Sequence, residues 1–329
     1  MTALLPLLML ACFETAEPVP LEPATADGTD GTDGTDGTGG TDGTGGPTVT
    51  SGTRGVWAWR DPGDPHGTDA VVGDPVAEAA MVDDLIAWGV DRVYGSYGDR
   101  AASEPEVIAD WNQRLHAAGI ESHVLMGDPA WTSSREWAFM ESLIQGRLLD
   151  YNVGRADPTE RFDGLHLDIE PHASSTWSML DEDGRYGQLF LLEEAYEHAH
   201  GVILASASPT LPIAADLPVW YDKLPPALGG TGQVGWPSVG TRDAWFSDVH
   251  AHVSRISMMA YETDSEATIL SRVSDETALF PGEVRVGLNE EVGTTWPTIT
   301  AMFDMADDLE GSGRAVDLHS YAHIRAELP

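Results

Sequence analysis

Cysteine and lysine are almost missing from this sequence: Cys12 and Lys223 are the only ones in 329 residues, and 17 basic side chains face 54 acidic ones, for a formal charge of -37. A lone cysteine excludes an intramolecular disulfide, so the fold has to be held by its core. The shortage of positive charge excludes nucleic acid and anionic lipid as partners, because a polyanion would be repelled. Neutral polymers, polysaccharides among them, meet no such penalty. Long apolar runs are also absent. Beyond the first residues, nothing approaches the roughly 20 apolar residues that span a bilayer.

The chain divides by composition into three parts. Residues 1–11 of "MTALLPLLMLAC" form a short apolar run ending in small Ala11 before Cys12, which reads as an export signal that leaves the cysteine at the new N-terminus. The stretch resembles a bacterial lipoprotein signal with its lipobox, which implies lipid attachment at Cys12 and an exported protein anchored at the cell envelope, its only membrane contact. Residues 12–53 turn to Pro and Glu and then to "DGTDGTDGTDGTGGTDGTGG". With almost no apolar side chains to bury, such a segment cannot offset its ordering entropy, so a flexible linker is expected. Residues 54–329 carry the folded part, which is expected to act as a monomer.

In that part, apolar runs alternate with helical patterns. The candidate strands are "GVWAW", "RVYGSY", "SHVLMG", "GLHLDIE", "VILASAS", "RISMMAY", "EVRVGL" and "AVDLHSY". Asp74-Pro75 reads as a helix cap and first turn, Ser103 with Glu106 and Ser133 with Glu136 read as capping boxes, and Gly89 and Gly119 as C-terminal caps. Strand and helix in regular alternation imply right-handed crossovers and a parallel sheet. Eight such units predict an α/β fold, a closed (β/α)8 TIM barrel. An open doubly wound sheet is disfavoured because no Gly-rich phosphate loop follows the first strand.

The segment "FDGLHLDIEP", residues 162–171, carries the functional argument. Residues two apart on a strand share a face. Leu165, Leu167 and Ile169 therefore face the helices, while His166, Asp168 and Glu170 face into the barrel, with Glu170 uppermost at the C-terminal mouth where such barrels keep their active sites. Partly desolvated neighbouring carboxylates resist ionising together, so one proton is retained, which makes a general acid of a glutamate. His166 below Asp168 can donate a hydrogen bond to it.

"DGLHLDIE" resembles the strand-four motif D-G-x-D-x-D-x-E of glycoside hydrolase family 18, the chitinase-like barrels: Asp163, Asp168 and Glu170 match, and His166 stands in place of an Asp. "ISMMAYET" is similar to that family's M-x-Y-D, with Met259 and Tyr261 matching and Glu262 replacing Asp. The resemblance implies hydrolysis of an N-acetylated polysaccharide of the chitin or peptidoglycan type. Glu170 would protonate the glycosidic oxygen, Asp168 would steer the substrate's own acetamido group, and Tyr261 would hydrogen-bond its carbonyl. That route needs no metal or other cofactor. His166, replacing a supporting Asp, puts the complete mechanism in question.

Three other readings stand beside it. Glu290, at the end of the seventh strand, could act with Glu170 as the nucleophile of an ordinary retaining glycosidase, or with Glu291 be a solvated loop acid. The barrel could bind sugar without cleaving it. His166, Asp168, Glu170 and His172, with His319 or His323, could ligate a metal for a metal-dependent hydrolase. Sugar faces stack on aromatic rings, and Trp57, Trp59, Tyr94, Tyr97, Trp131, Trp220, Trp236 and Trp296 all fall near predicted strand ends. From these, Trp57, Trp59, Tyr97, Trp131, Trp236 and Trp296 are taken as the substrate-binding candidates. Trp88, Trp111 and Trp137 lie in helices and read as core.

Overall fold

A computed structural model describes residues 54–328. The expected signal segment, Cys12 and the linker lie outside the described residues. Eight strands, β1 (Arg54–Ala58), β2 (Val90–Gly95), β3 (Glu121–Met126), β4 (Gly164–Leu167), β5 (Ile213–Pro218), β6 (Arg255–Met259), β7 (Glu283–Asn289) and β8 (Ala315–His319), pair in sequence order and close β8 onto β1. Every pairing is parallel. Each strand is followed by at least one helix, so the protein is the (β/α)8 barrel that the alternation predicts. No described helix is long and apolar enough to cross a membrane.

Alternation along each strand separates two interiors. Outward-facing Val56, Val93, Val124, Leu165, Leu167, Ile213, Leu217, Ile256, Val286 and Val316 are buried against the helices, together with Ile169. Each such side chain contributes about 1.5–3 kcal/mol on leaving water. The inward row is polar and aromatic instead, with Trp57, Tyr94 and Leu125 as its own small cluster. Glycine makes room for it. A Cβ at Gly55 would lie 2.2 Å from Asp317 Oδ1, and one at Gly164 would lie 2.6 Å from the His123 ring.

Local signals are met unevenly. The Asp74 carboxylate accepts from the amides of Val76 and Ala77, and Gly89 and Gly119 end their helices at φ 70° and 78°. Neither capping box forms. Ser103 ends a short helix of its own, Arg100–Ser103, its hydroxyl donating to the Asp99 carbonyl, and no side chain caps the helices that start at Pro105 and Trp137. The predicted fifth strand is misplaced. Residues 202–204 of "VILASAS" end the long helix Glu182–Leu204, and β5 is the later run "IAADLP". Val202 and Ile203 continue the helix's contact with the core, whereas β5 hides its apolar pattern among two alanines, an aspartate and a proline.

Candidate active site at the barrel mouth

β4 presents the ionisable row inward, as its alternation requires. His166 is fully buried, and its ring packs at 4.0 Å from the Tyr94 ring, tilted by 38°, and 5.9 Å from Trp57. Burial, first of all, lowers its pKa to about 3, so the imidazole is neutral. It does not lie under Asp168 as a donor to it. His166 Nε2 is 2.8 Å from Oδ2 of Asp216 on β5, an oxygen that also accepts from Trp57 Nε1 at 3.1 Å.

Asp216 is the residue that the sequence reading missed. The register pairs His166 with Ala214 and Leu167 with Ala215, so the next step sets Asp168 level with Asp216 on the neighbouring strand. Asp168 continues the ladder, its amide donating to the Met126 carbonyl at 2.9 Å. Oδ1 of Asp168 and Oδ1 of Asp216 are both buried without a hydrogen-bond partner. Burial raises the pKa of Asp168 well above the ordinary carboxylate value, and Asp216 adds repulsion. Asp216 is raised for the same first reason, against the pull of the Trp57 hydrogen bond.

Glu170 follows where β4 has ended, its side chain 28% exposed. Burial, then the charges of Asp168 and Asp216, push it up to about 8. It therefore carries a proton at neutral pH, the state a general acid needs. Tyr261, just past β6, packs its ring 5.6 Å from that of His319 and feels Asp216, Asp168 and Glu170 in turn. Met259 faces inward from the end of β6, half-buried. The structure thus brings Glu170, Asp168 and Tyr261 together.

On the far rim, Glu290 is tied at both oxygens, to His319 Nδ1 at 3.3 Å and His323 Nδ1 at 2.6 Å. Burial opposes ionisation there, but these two hydrogen bonds prevail and hold it at about 2. Trp59 donates to His319 Nε2 at 3.3 Å, which assigns the His319 proton to Nδ1, facing Glu290. Glu291 is an exposed loop acid that accepts from the Thr294 and Thr295 hydroxyls, as one of the two readings has it.

Several other expectations need correction. Asp163 precedes β4 at the opposite end of the barrel, accepting from the Ser122 amide and paired with His116 at 2.7 Å each; it ties the fold and does not reach the mouth. Of the aromatics proposed for substrate, Trp57, Tyr97, Trp131, Trp236 and Trp296 are all buried. Tyr97 turns to the helix layer and accepts from Trp111, while Trp236 and Trp296 pin their loops by donating to the carbonyls of Tyr221 and Asn289. Only Trp59 of that set stands partly open at the mouth, where Trp220, against His172, joins it. Trp88 and Trp111 are core as expected, and Trp137 is half-buried with its ring stacked on His198. The metal reading of "HLDIEPH" does not assemble either. His166 is committed to Asp216, His172 Nδ1 pairs with the Tyr221 hydroxyl at 2.9 Å, and the described residues bring no trio from this motif into ligand range.

Among the described residues there is a groove of about 600 Å³ between Trp137 and the helix Glu182–Leu204, away from the mouth, and a shallow hollow of about 320 Å³ beside Gly63 and Asp69 in the loop after β1. Chemistry singles out the mouth, not the depth of a cavity. No protein-family model matches the chain, and no curated protein matches it. Among solved structures it is similar to a chitinase from Bacteroides thetaiotaomicron, at 10% identity over 82% of this chain and 89% of that one, TM-score 0.49. It is also similar to the PgaB (BpsB) glycoside hydrolase domain from Bordetella bronchiseptica, at 11% identity over 84% and 96%, TM-score 0.49. A chitinase from Chromobacterium violaceum follows, at 10% identity over 83% and 96%, TM-score 0.47. At such values the likeness is one of barrel outline.

Proposed function

We propose that this barrel is a glycoside hydrolase of the chitinase-like family 18 type, cleaving an N-acetylated polysaccharide. One observation carries the reading: Glu170 stands at the C-terminal mouth just beyond β4, on the same inward row as Asp168, where burial and then the charges of Asp168 and Asp216 push its pKa up to about 8. Glu170 donates its proton to the glycosidic oxygen. Asp168 steers the acetamido group that attacks the anomeric carbon, and the Tyr261 hydroxyl, kept protonated by burial, donates to the acetamido carbonyl. Trp59 and Trp220 offer ring faces at the rim. Anchoring at the cell envelope through Cys12 belongs to the same proposal; Cys12→Ala should release the protein from the membrane fraction.

The test is a comparison of wild type, Glu170→Gln and Asp168→Asn on acetylated and deacetylated glycans. Glu170→Gln is expected to cost at least about a thousandfold in kcat, with oligosaccharide binding kept. Binding without turnover in the wild type would sink the enzymatic reading in favour of a sugar-binding barrel. A second reading keeps one specific support: Glu290 is held anionic while Glu170 is held neutral, the separation of roles that a two-carboxylate retaining glycosidase uses. Cleavage of deacetylated glycan, lost in Glu290→Gln, would favour it.

A further inference from the structure

We infer that the outer layer of the barrel carries a divalent-metal site of the zinc class, made by Glu193 and Glu197 of the helix Glu182–Leu204 and His252 beyond the helix Val239–His250, with His200 holding that histidine from behind. The site lies away from the mouth and does not depend on the reaction there.

Sequence spacing sets up the first half. Glu193 and Glu197 are four residues apart, so their side chains stand on one face of the helix, and His200 continues that face further along. The second half comes from the neighbouring helix. His252 follows its end, two residues before the Ser254 amide donates to the carbonyl of Ile213, where β5 begins. The group therefore sits toward the N-terminal end of the barrel, opposite the mouth.

One ligand atom from each of Glu193, Glu197 and His252 lies within 4.8 Å of the other two, and His252 Nε2 stands 3.8 Å from Glu193 Oε1. Zinc, with bonds of about 2.0–2.2 Å, holds its ligand atoms ~3.4 Å apart, so a side-chain adjustment on the order of an ångström closes the set. Glu197, which is exposed, can supply most of that movement.

The histidine side distinguishes this group from a patch of surface acids. His252 Nδ1 lies 3.4 Å from His200 Nδ1, so one ring nitrogen is engaged by a second imidazole while Nε2 is left toward the carboxylate of Glu193. Metal-bound histidines are held in this way, by a partner on the other ring nitrogen. With His252 donating from Nδ1, the Nε2 lone pair faces negative oxygen, a repulsion that a divalent cation between them turns into ligation. Among the described residues no Arg or Lys pairs with Glu193 or Glu197. One imidazole and two carboxylates form a donor set for zinc, with the fourth position left to water. A metal there would clip two neighbouring helices together in a chain whose single cysteine allows no internal disulfide.

Titration of zinc chloride into the metal-stripped full chain, read by competition with a chromophoric chelator and by the melting temperature, tests the site without any assay of hydrolysis. One zinc per chain should bind, and the melting temperature should rise with zinc concentration, because a ligand of the native state stabilises it by mass action. Glu193→Gln and His252→Ala should each weaken zinc at least about a hundredfold and abolish the rise, and His200→Ala should weaken it about tenfold. Glu197→Gln, at an exposed position, should keep the metal-free melting temperature of wild type and still lose affinity, which separates lost ligation from misfolding. His323→Ala, at the mouth, should leave zinc affinity within about twofold. Zinc binding that is equal in wild type and in Glu193→Gln and His252→Ala would make the metal an adventitious ion only and overturn the inference. Calcium bound as tightly as zinc would overturn it too, since carboxylates alone, without the imidazole, would then hold the cation.

Discussion

Asp317 and Asp216 are equally hidden inside one barrel and yet opposite in character. Asp317 accepts from Arg285 Nε at 2.8 Å, from the Tyr94 hydroxyl at 3.0 Å and from the Ser257 hydroxyl, and although burial pushes its pKa up, Arg285 brings it below the ordinary value. Asp216 has only neutral donors, and its pKa is raised. Below the mouth, guanidinium groups run through the inward row: Arg285 also binds Glu283 and the Val316 carbonyl, and Arg92 binds Glu121. At the mouth, no guanidinium among the described residues pairs with the carboxyls of Asp168, Asp216 or Glu170. A matched charge holds strands together; an unmatched one retains a proton that chemistry can use.

The sharpest way to break this contrast is one neutralising substitution in each region. Asp317→Asn leaves Arg285 short of its buried counter-charge and should cost about 3–5 kcal/mol in denaturant unfolding. Asp168→Asn removes a carboxyl that burial disfavours, so the melting temperature at neutral pH should hold or rise. A similar opposition is expected among the tryptophans. Trp236→Ala should cost about 3–5 kcal/mol of stability, whereas Trp59→Ala should leave stability within about 1 kcal/mol and weaken oligosaccharide binding several-fold.

A further effect is one of pH. Glu170 titrates near 8 in the fold against 4.5 when free, so between those values the folded state binds more protons than the unfolded one. Stability is then greatest at the acid end of that window and falls as pH rises through it, by at most about 1.4 kcal/mol per pH unit for this group. Glu276, buried near Asp222 and also pushed to about 8, adds to the same trend. Glu170→Gln should flatten the slope without removing it; an unchanged slope would count against a proton held at Glu170.

How far the sequence could be read follows from what periodicity encodes. A period of two assigned the faces of β4 correctly, since Leu165 and Leu167 pack outward while His166 turns in. Faces are not depths. Trp57, taken as a substrate-binding candidate, does lie on the inward face, yet the rings of Tyr94, His166 and His319 cover it. Loop tryptophans near strand ends looked like sugar platforms, but the N–H groups of Trp236 and Trp296 serve as loop anchors. Asp216 escaped because its strand was placed eleven residues too early, where the helix ending at Leu204 mimics a strand's apolar run. Cross-strand partnership depends on register, which one strand's sequence does not specify.

The central claim is that Glu170 carries the proton that cleaves the glycosidic bond, and the pH dependence of kcat on an acetylated oligosaccharide tests it most directly. An alkaline limb near pH 8, absent from the residual rate of Glu170→Gln, is the predicted result. Wild-type activity that persists well above that pH, or a Glu170→Gln variant that keeps both rate and limb, would contradict it.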